Sequence, residues 1–201
     1  MCNIWRDPQE ATLPLEDFKK IIKEAGELWC FFASLSGGES LIIKDILSYV
    51  SYAKSHIPYV NLVTNGLLLS QEMAKGLAET GLDTISISID GLEKTHDTIR
   101  GEGSFAKALE AINNIKINAP RIKVIVNTVI SQWNIEELIK LADMVESQGV
   151  YHKFQPIFDQ PYFHGQLSQS EPWKISNSQI EKLKEIVERL KARKNVVNSK
   201  Y

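Results

Sequence analysis

Helix-period and strand-period segments alternate through this chain almost without a break, and that alternation constrains its fold more than any other feature. After Pro14, which suits a first helical turn, Phe18, Ile21, Ile22 and Ala25 recur at helical spacing. Residues 28–35 form a continuous apolar run, rich in aromatics and too short for a helix, which reads as a buried strand. A helix is expected over about 41–54 and a strand over 59–64. The next helix opens at Ser70 and stops at Gly81, the residue best suited to a left-handed cap. Residues 83–89 give a third strand, 104–118 a helix, and 122–130 the longest β-branched run. Asn134 with Glu137 is a capping-box signal for a helix ending near Gly149, and 150–157 is the last strand.

Alternating elements with short connections imply a parallel sheet flanked by helices. The order opens on a loop and a helix, so a strand is expected to be missing in front of the five that are visible. The expected class is α/β, a partial (β/α)6 TIM-like barrel without its first strand. Beyond Phe158 the texture changes, with Pro161, Gly165 and Pro172 in a stretch of no clear period. Ser178 and Glu181 then start an amphipathic helix with Ile180, Leu183, Val187 and Leu190 inward, and the closing segment resolves into no element. The expected organisation is a barrel over 1–158, then a loop and helix over 159–201 leading toward a C-terminal domain that the chain does not contain.

The net charge of −2 gives no electrostatic case for nucleic acid or an anionic membrane. No apolar run approaches the roughly 20 residues of a membrane span, and no leader pattern marks the chain for secretion. A cytoplasmic location is expected. Cys2 and Cys30, the two cysteines, lie too far apart for a CxxC pair, and Cys30 reads as an inert thiol in an apolar run.

Ligands of parallel α/β sheets bind at the carboxyl ends of the strands. Those ends carry Ser36-Gly37-Gly38-Glu39, Thr64-Asn65-Gly66 and Asp90-Gly91, with Asn127 late in the fourth strand. In the third strand Ile85, Ile87 and Ile89 alternate with Ser86, Ser88 and Asp90, so one face is apolar and the other polar. A polar stripe inside a barrel suggests a cavity for a polar ligand. Each piece also has a plainer reading: tight turns for the glycine dipeptides, and a helix N-terminus for Glu39.

Together these residues resemble the radical S-adenosylmethionine (SAM) enzymes, in their SPASM branch. Met1-Cys2-Asn3-Ile4-Trp5-Arg6 resembles the end of the CxxxCxxC cluster motif, and Ser36-Gly37-Gly38-Glu39-Ser40 the GGEP motif, with Ser40 in place of proline. Thr64-Asn65-Gly66 resembles the TNG turn and Ser86 to Gly91 the S-x-D-G strand. Thr95-His96-Asp97-Thr98-Ile99-Arg100-Gly101 is similar to the segment that follows that strand in the SPASM branch. The resemblance implies a [4Fe–4S] cluster on three cysteines, with Cys2 as the third ligand, and an open iron for SAM. It implies reductive cleavage of SAM to a 5′-deoxyadenosyl radical that abstracts hydrogen from a substrate, for which a peptide or protein is a candidate.

By the same resemblance Gly37, Gly38 and Glu39 meet the amino group of SAM, and Ser88 and Asp90 its ribose or methionine part. Thr64, Asn65, Asn127 and Gln155 line the cavity. No catalytic side chain is assigned. His164 reads as a loop histidine, His56 and His152 as structural or surface residues, and Arg100 as a surface partner of Asp97 or Glu102. An electron donor such as a flavodoxin or ferredoxin is implied. The first two cluster cysteines do not appear, so the 201-residue chain alone is expected to be without SAM cleavage, and a missing first strand would make 28–35 an open edge and the chain unstable or insoluble. Two alternatives stand beside this reading: a cluster-less remnant acting as a binding or scaffold module, and an unrelated α/β barrel. The second would need a phosphate-binding glycine loop after a late strand, and none is visible near Ile130 or Ile157.

Overall fold

The computed structural model describes residues 12–156 and 175–198. These divide into two compact units, one built from 12–88 with 107–124 and the other from 89–106 with 125–156 and 175–198. Cys2 and the rest of its motif, Ile157 and the segment holding His164 lie outside the described residues.

The first unit holds α1 (Leu15–Glu27), β1 (Phe32–Leu35), α2 (Ile46–His56), β2 (Tyr59–Thr64), α3 (Gln71–Glu79) and β3 (Thr84–Ser88). The strands pair in parallel, with Ser34 opposite Asn61 and Val63 opposite Ser86. Helix α1 buries Phe18 and Ile22, and the Phe18 ring packs 4.9 Å from that of Tyr49 on α2. Gly81, at φ 76°, ends the α3 turn as expected.

The run 28–35 is only half strand. Leu28 caps α1, Trp29 N–H donates to Gly26 O and Cys30 N–H to Ala25 O, at 3.0 and 2.9 Å. That is a Schellman closure with Trp29 at the left-handed position, φ 60°, where glycine is usual. With no glycine to mark the helix end, the apolar run hides it. The expected helix 41–54 also begins late. Glu39 accepts from Leu41 N–H and starts a single 3₁₀ turn, Ser40–Ile42, which extended Ile43 then breaks.

The second unit holds α4 (Glu93–Arg100), most of β4 (Lys123–Ile130), α6 (Leu138–Ser147), β5 (Tyr151–Pro156) and α7 (Asn177–Lys191). Helix α5 (Ser104–Asn118) has the expected bounds and lies mostly in the first unit. Strands β4 and β5 are parallel, with Asn127 opposite Lys153 and Val129 opposite Gln155. Ile130, Ile135, Leu138, Ala142, Phe154, Ile186 and Leu190 form a core under α6 and α7. Helix α7 faces inward with Leu183, Ile186 and Leu190, whereas Ile180 is exposed.

Two expectations are corrected here. Asn134 and Glu137 do not form a capping box, because their side chains turn away to bind the loop after β3. The closing segment is ordered edge structure. His152 N–H donates to Asn195 O, Val197 N–H donates to His152 O, and Val196 pairs in parallel with His152. The Asn198 amide then accepts from Phe154 N–H at 2.9 Å and donates to Phe154 O at 2.6 Å, imitating the next strand residue. Among the described residues no helix is long and apolar enough to cross a membrane.

Candidate functional site

In the first unit, alternation along the strands puts Ser34, Asn61, Ser86 and Ser88 on one sheet face. Ser86 Oγ donates to Asn61 Oδ1 and Asn61 Nδ2 donates to Ser34 Oγ, both at 3.0 Å, making a polar row across three strands. Ile85 and Ile87 are fully buried on the other face. Ser88 closes the row at the carboxyl end of β3 and is half-buried. Asn61 and Ser34 carry no motif that marks them in the sequence. The period-2 rule applied to β2 would have found Asn61, since it shares its face with Tyr59 and Val63.

After β1 the chain turns through Gly37 and Gly38. Neither has a positive φ, and a Cβ added to either would find nothing within 4 Å. Neither backbone strain nor crowding by the protein therefore calls for glycine at these positions. Glu39 is firmly held: Oε1 accepts from Leu41 N–H and Thr64 Oγ1–H, and Oε2 from Asn65 N–H at 2.7 Å. Thr64 is 2% exposed, and its hydroxyl also accepts from Gly66 N–H. Asn65 Oδ1 accepts from Leu67 N–H in a local turn. Gly66 is required by the fold, since φ is 85° and a Cβ would lie 3.2 Å from that of Ala111. The Thr64-Asn65-Gly66 turn thus holds Glu39 in place, tying the turn after β1 to the end of β2.

In the second unit Asp90 is 4% exposed. Its carboxylate accepts from Val129 N–H at 2.8 Å and from Arg100 Nε at 2.7 Å. Arg100 is thus the partner of Asp90 rather than of Asp97 or Glu102. Asp97 accepts instead from Gly103 N–H, Phe105 N–H and Ser104 Oγ–H, and these bonds hold its carboxyl below the usual range. His96 is fully buried, and its Nδ1 accepts from Asp90 N–H at 3.0 Å. Burial first, then the charge of Arg100, pushes the His96 pKa down to about 4, against the opposing pull of Asp90 and Asp97. The imidazole is therefore neutral near pH 7.

Thr128 Oγ1–H donates to Ile89 O, so His152 Nε2 must donate to Thr128 Oγ1, at 2.8 Å. Burial, then Arg193, pushes the His152 pKa down to about 3. His152 is structural, as expected. Asn127 and Gln155 are half-buried on β4 and β5, and Asn127 Oδ1 is a buried acceptor without a donor among the described residues.

Among the described residues no group of three or more His, Cys, Asp or Glu side chains is placed to hold a metal ion. Cys30 donates its thiol to Phe32 O at 3.2 Å and offers no cluster geometry. The described residues do not themselves supply the ligands of an iron–sulfur cluster.

The chain is 32% identical over 145 residues to the mycofactocin maturase MftC of Mycolicibacterium smegmatis, covering 72% of this chain and 36% of that protein. It is 37% identical over 141 residues to the PqqA peptide cyclase of Methylocella silvestris, covering 68% of this chain and 37% of that protein. It therefore spans a little over a third of the length of these relatives. The crystal structure of Streptococcus suis SuiB superposes with a TM-score of 0.75 at 16% identity, over 95% of this chain and 44% of SuiB, which supports the partial-barrel fold. The family model of the radical SAM superfamily matches residues 1–145, and the chain belongs to that superfamily.

Proposed function

We propose that this chain supplies the SAM-binding strand ends of a radical SAM enzyme that modifies a peptide or protein. The observation that carries the reading is the Gly37-Gly38 turn, whose bare, unstrained backbone serves no need of the fold and lies beside a fixed carboxylate. Glu39 takes two protein donors on Oε1 and one on Oε2, so Oε2 keeps a lone pair for the ammonium of SAM. Ser88, half-buried at the carboxyl end of β3, would offer its hydroxyl to the ribose or methionine part. Asn127 and Gln155, which the resemblance assigns to the cavity, lie in the second unit, where Asn127 Oδ1 has no hydrogen-bond donor among the described residues. The buried Asp90 carboxylate, already engaged by Arg100 and Val129, shapes this end of the sheet rather than reaching out to a ligand.

A [4Fe–4S] cluster would supply the electron for reductive cleavage of bound SAM and so the hydrogen-abstracting chemistry. This chain's own described residues bind and orient SAM. Cys2, which the resemblance assigns to the cluster, would contribute one ligand. A peptide substrate is supported by the relative named a PqqA peptide cyclase, and a flavodoxin or ferredoxin donor and a cytoplasmic location accord with the family chemistry.

Hydrogen exchange with and without SAM tests the reading. Added SAM is expected to slow exchange in residues 36–39 and 86–90. Unchanged exchange in both stretches at saturating SAM would contradict it.

A further inference from the structure

The turn that follows β3, Asp90-Gly91-Leu92, is held by side chains at three of its main-chain polar groups. Asp90 N–H donates to His96 Nδ1, Asp90 O accepts from Asn134 Nδ2 at 2.7 Å, and Leu92 N–H donates to Glu137 Oε2 at 2.9 Å. Gly91 leaves no slack, since a Cβ there would lie 2.7 Å from Thr95 Cγ2 and 3.1 Å from Glu137 Oε2.

Glu137 has a second role in the same place. Leu92 is the N-cap of α4 and has no side-chain cap of its own. Glu137 comes in from 45 residues further along the chain and caps the helix instead, with Oε2 on Leu92 N–H and Oε1 on Thr95 Oγ1–H at 2.8 Å. A carboxylate here also meets the positive end of the helix. Helix α4 then returns two groups to Asp90: His96 to its N–H and Arg100 to its carboxylate. The geometry is a closed loop of support in which Glu137 fixes α4 and α4 fixes Asp90.

We propose that Glu137 is a positioning residue for SAM binding, acting through α4 to fix the Asp90-Gly91-Leu92 turn by which the chain leaves β3. It touches no ligand itself. The inference rests on the reading that the end of β3 binds SAM. It predicts that SAM affinity depends on the acceptor at 137 rather than on its charge, because Gln can still accept from Leu92 N–H and still meet the Thr95 hydroxyl.

The test is calorimetric titration of SAM into the wild type, Glu137→Gln and Glu137→Ala, with melting followed on the same samples. Glu137→Ala is expected to weaken SAM binding by at least about tenfold, while Glu137→Gln stays within about threefold of the wild type. Equal affinity in the wild type and a folded Glu137→Ala would overturn the proposal, as would a Gln variant as weak as Ala. Exchange of the Asp90 and Leu92 amides in the wild type gives a second measurement that needs no variant to fold. Both are expected to be protected, and exchange as fast as in an open turn overturns the proposal. A wild type that binds no SAM would instead overturn the proposed function, and the exchange measurement would still decide whether Glu137 holds the turn.

Discussion

Arg100 donates from Nε to the carboxylate of Asp90 at 2.7 Å, joining the last turn of α4 to the turn that follows β3. The Asp90 side chain is 5% exposed and that of Arg100 24%, so the pair sits at the edge of the interior. Its other protein donor, Val129 N–H, cannot neutralise the charge alone.

Arg100→Leu should therefore destabilise the protein by about 2 to 4 kcal/mol, toward the lower end for a buried pair because the guanidinium is partly solvated. Adding Asp90→Asn to it should cost much less than the sum of the two single changes. Urea unfolding of the double-mutant cycle checks this, and strictly additive effects would show that the pair is not coupled.

The two buried histidines set a pH dependence. Their folded pKa values, about 4 for His96 and about 3 for His152, lie below the ordinary 6.5, so the unfolded chain binds protons that the folded one refuses. Stability should be level on their account above pH 7 and fall as pH drops below 6.5. The His96 contribution stops changing below about 4, and that of His152 below about 3. Within those windows each contributes a slope of about 1.4 kcal/mol per pH unit. Imidazole resonances followed by NMR should show neither ring titrating above pH 5, and a midpoint near 6.5 for either would contradict the burial argument.

Trp29 occupies the left-handed position of a Schellman closure while 92% exposed. Its side chain contributes little packing, and its backbone carries the usual penalty of a residue with a Cβ at positive φ. Trp29→Gly should raise stability by about 1 kcal/mol, seen as a higher urea midpoint with an unchanged slope. A loss of stability would mean that Trp29 is covered in the folded protein.

Much of the fold was legible because period and punctuation agreed. Ser70 and Gly81 bound α3 as expected, and α5 has the expected bounds, because cap chemistry marked their ends. Where punctuation failed, so did the boundary: Trp29 ends α1 without a glycine, and Ile43 delays α2 without a proline. The closing segment lacked any periodic run, and its order comes from hydrogen bonds to His152 and Phe154 that no local pattern announces.

The candidate site divides in the same way. Glycines and acidic residues at strand ends were visible as positions, and so was the polar stripe of Ser86, Ser88 and Asp90. Their partners were not. Glu39 meets Thr64 across 25 residues, and Glu137 meets Leu92 across 45, so both contacts follow from folding rather than spacing. A Glu three residues after Asn fits the pattern of a local cap, and the tertiary bond from Glu137 to α4 overrides it.

Equilibrium dialysis of labelled SAM against the wild type and Gly38→Val tests the central claim most directly. Nothing lies within 4 Å of a Cβ at Gly38 and its φ is not positive, so the substitution should leave the melting temperature within about 2 °C. The account predicts saturable binding of about one SAM per wild-type chain, and a loss of affinity of about tenfold or more in the variant as the new side chain blocks backbone approach. Equal binding by an intact Gly38→Val protein, or no saturable binding by the wild type, would contradict it.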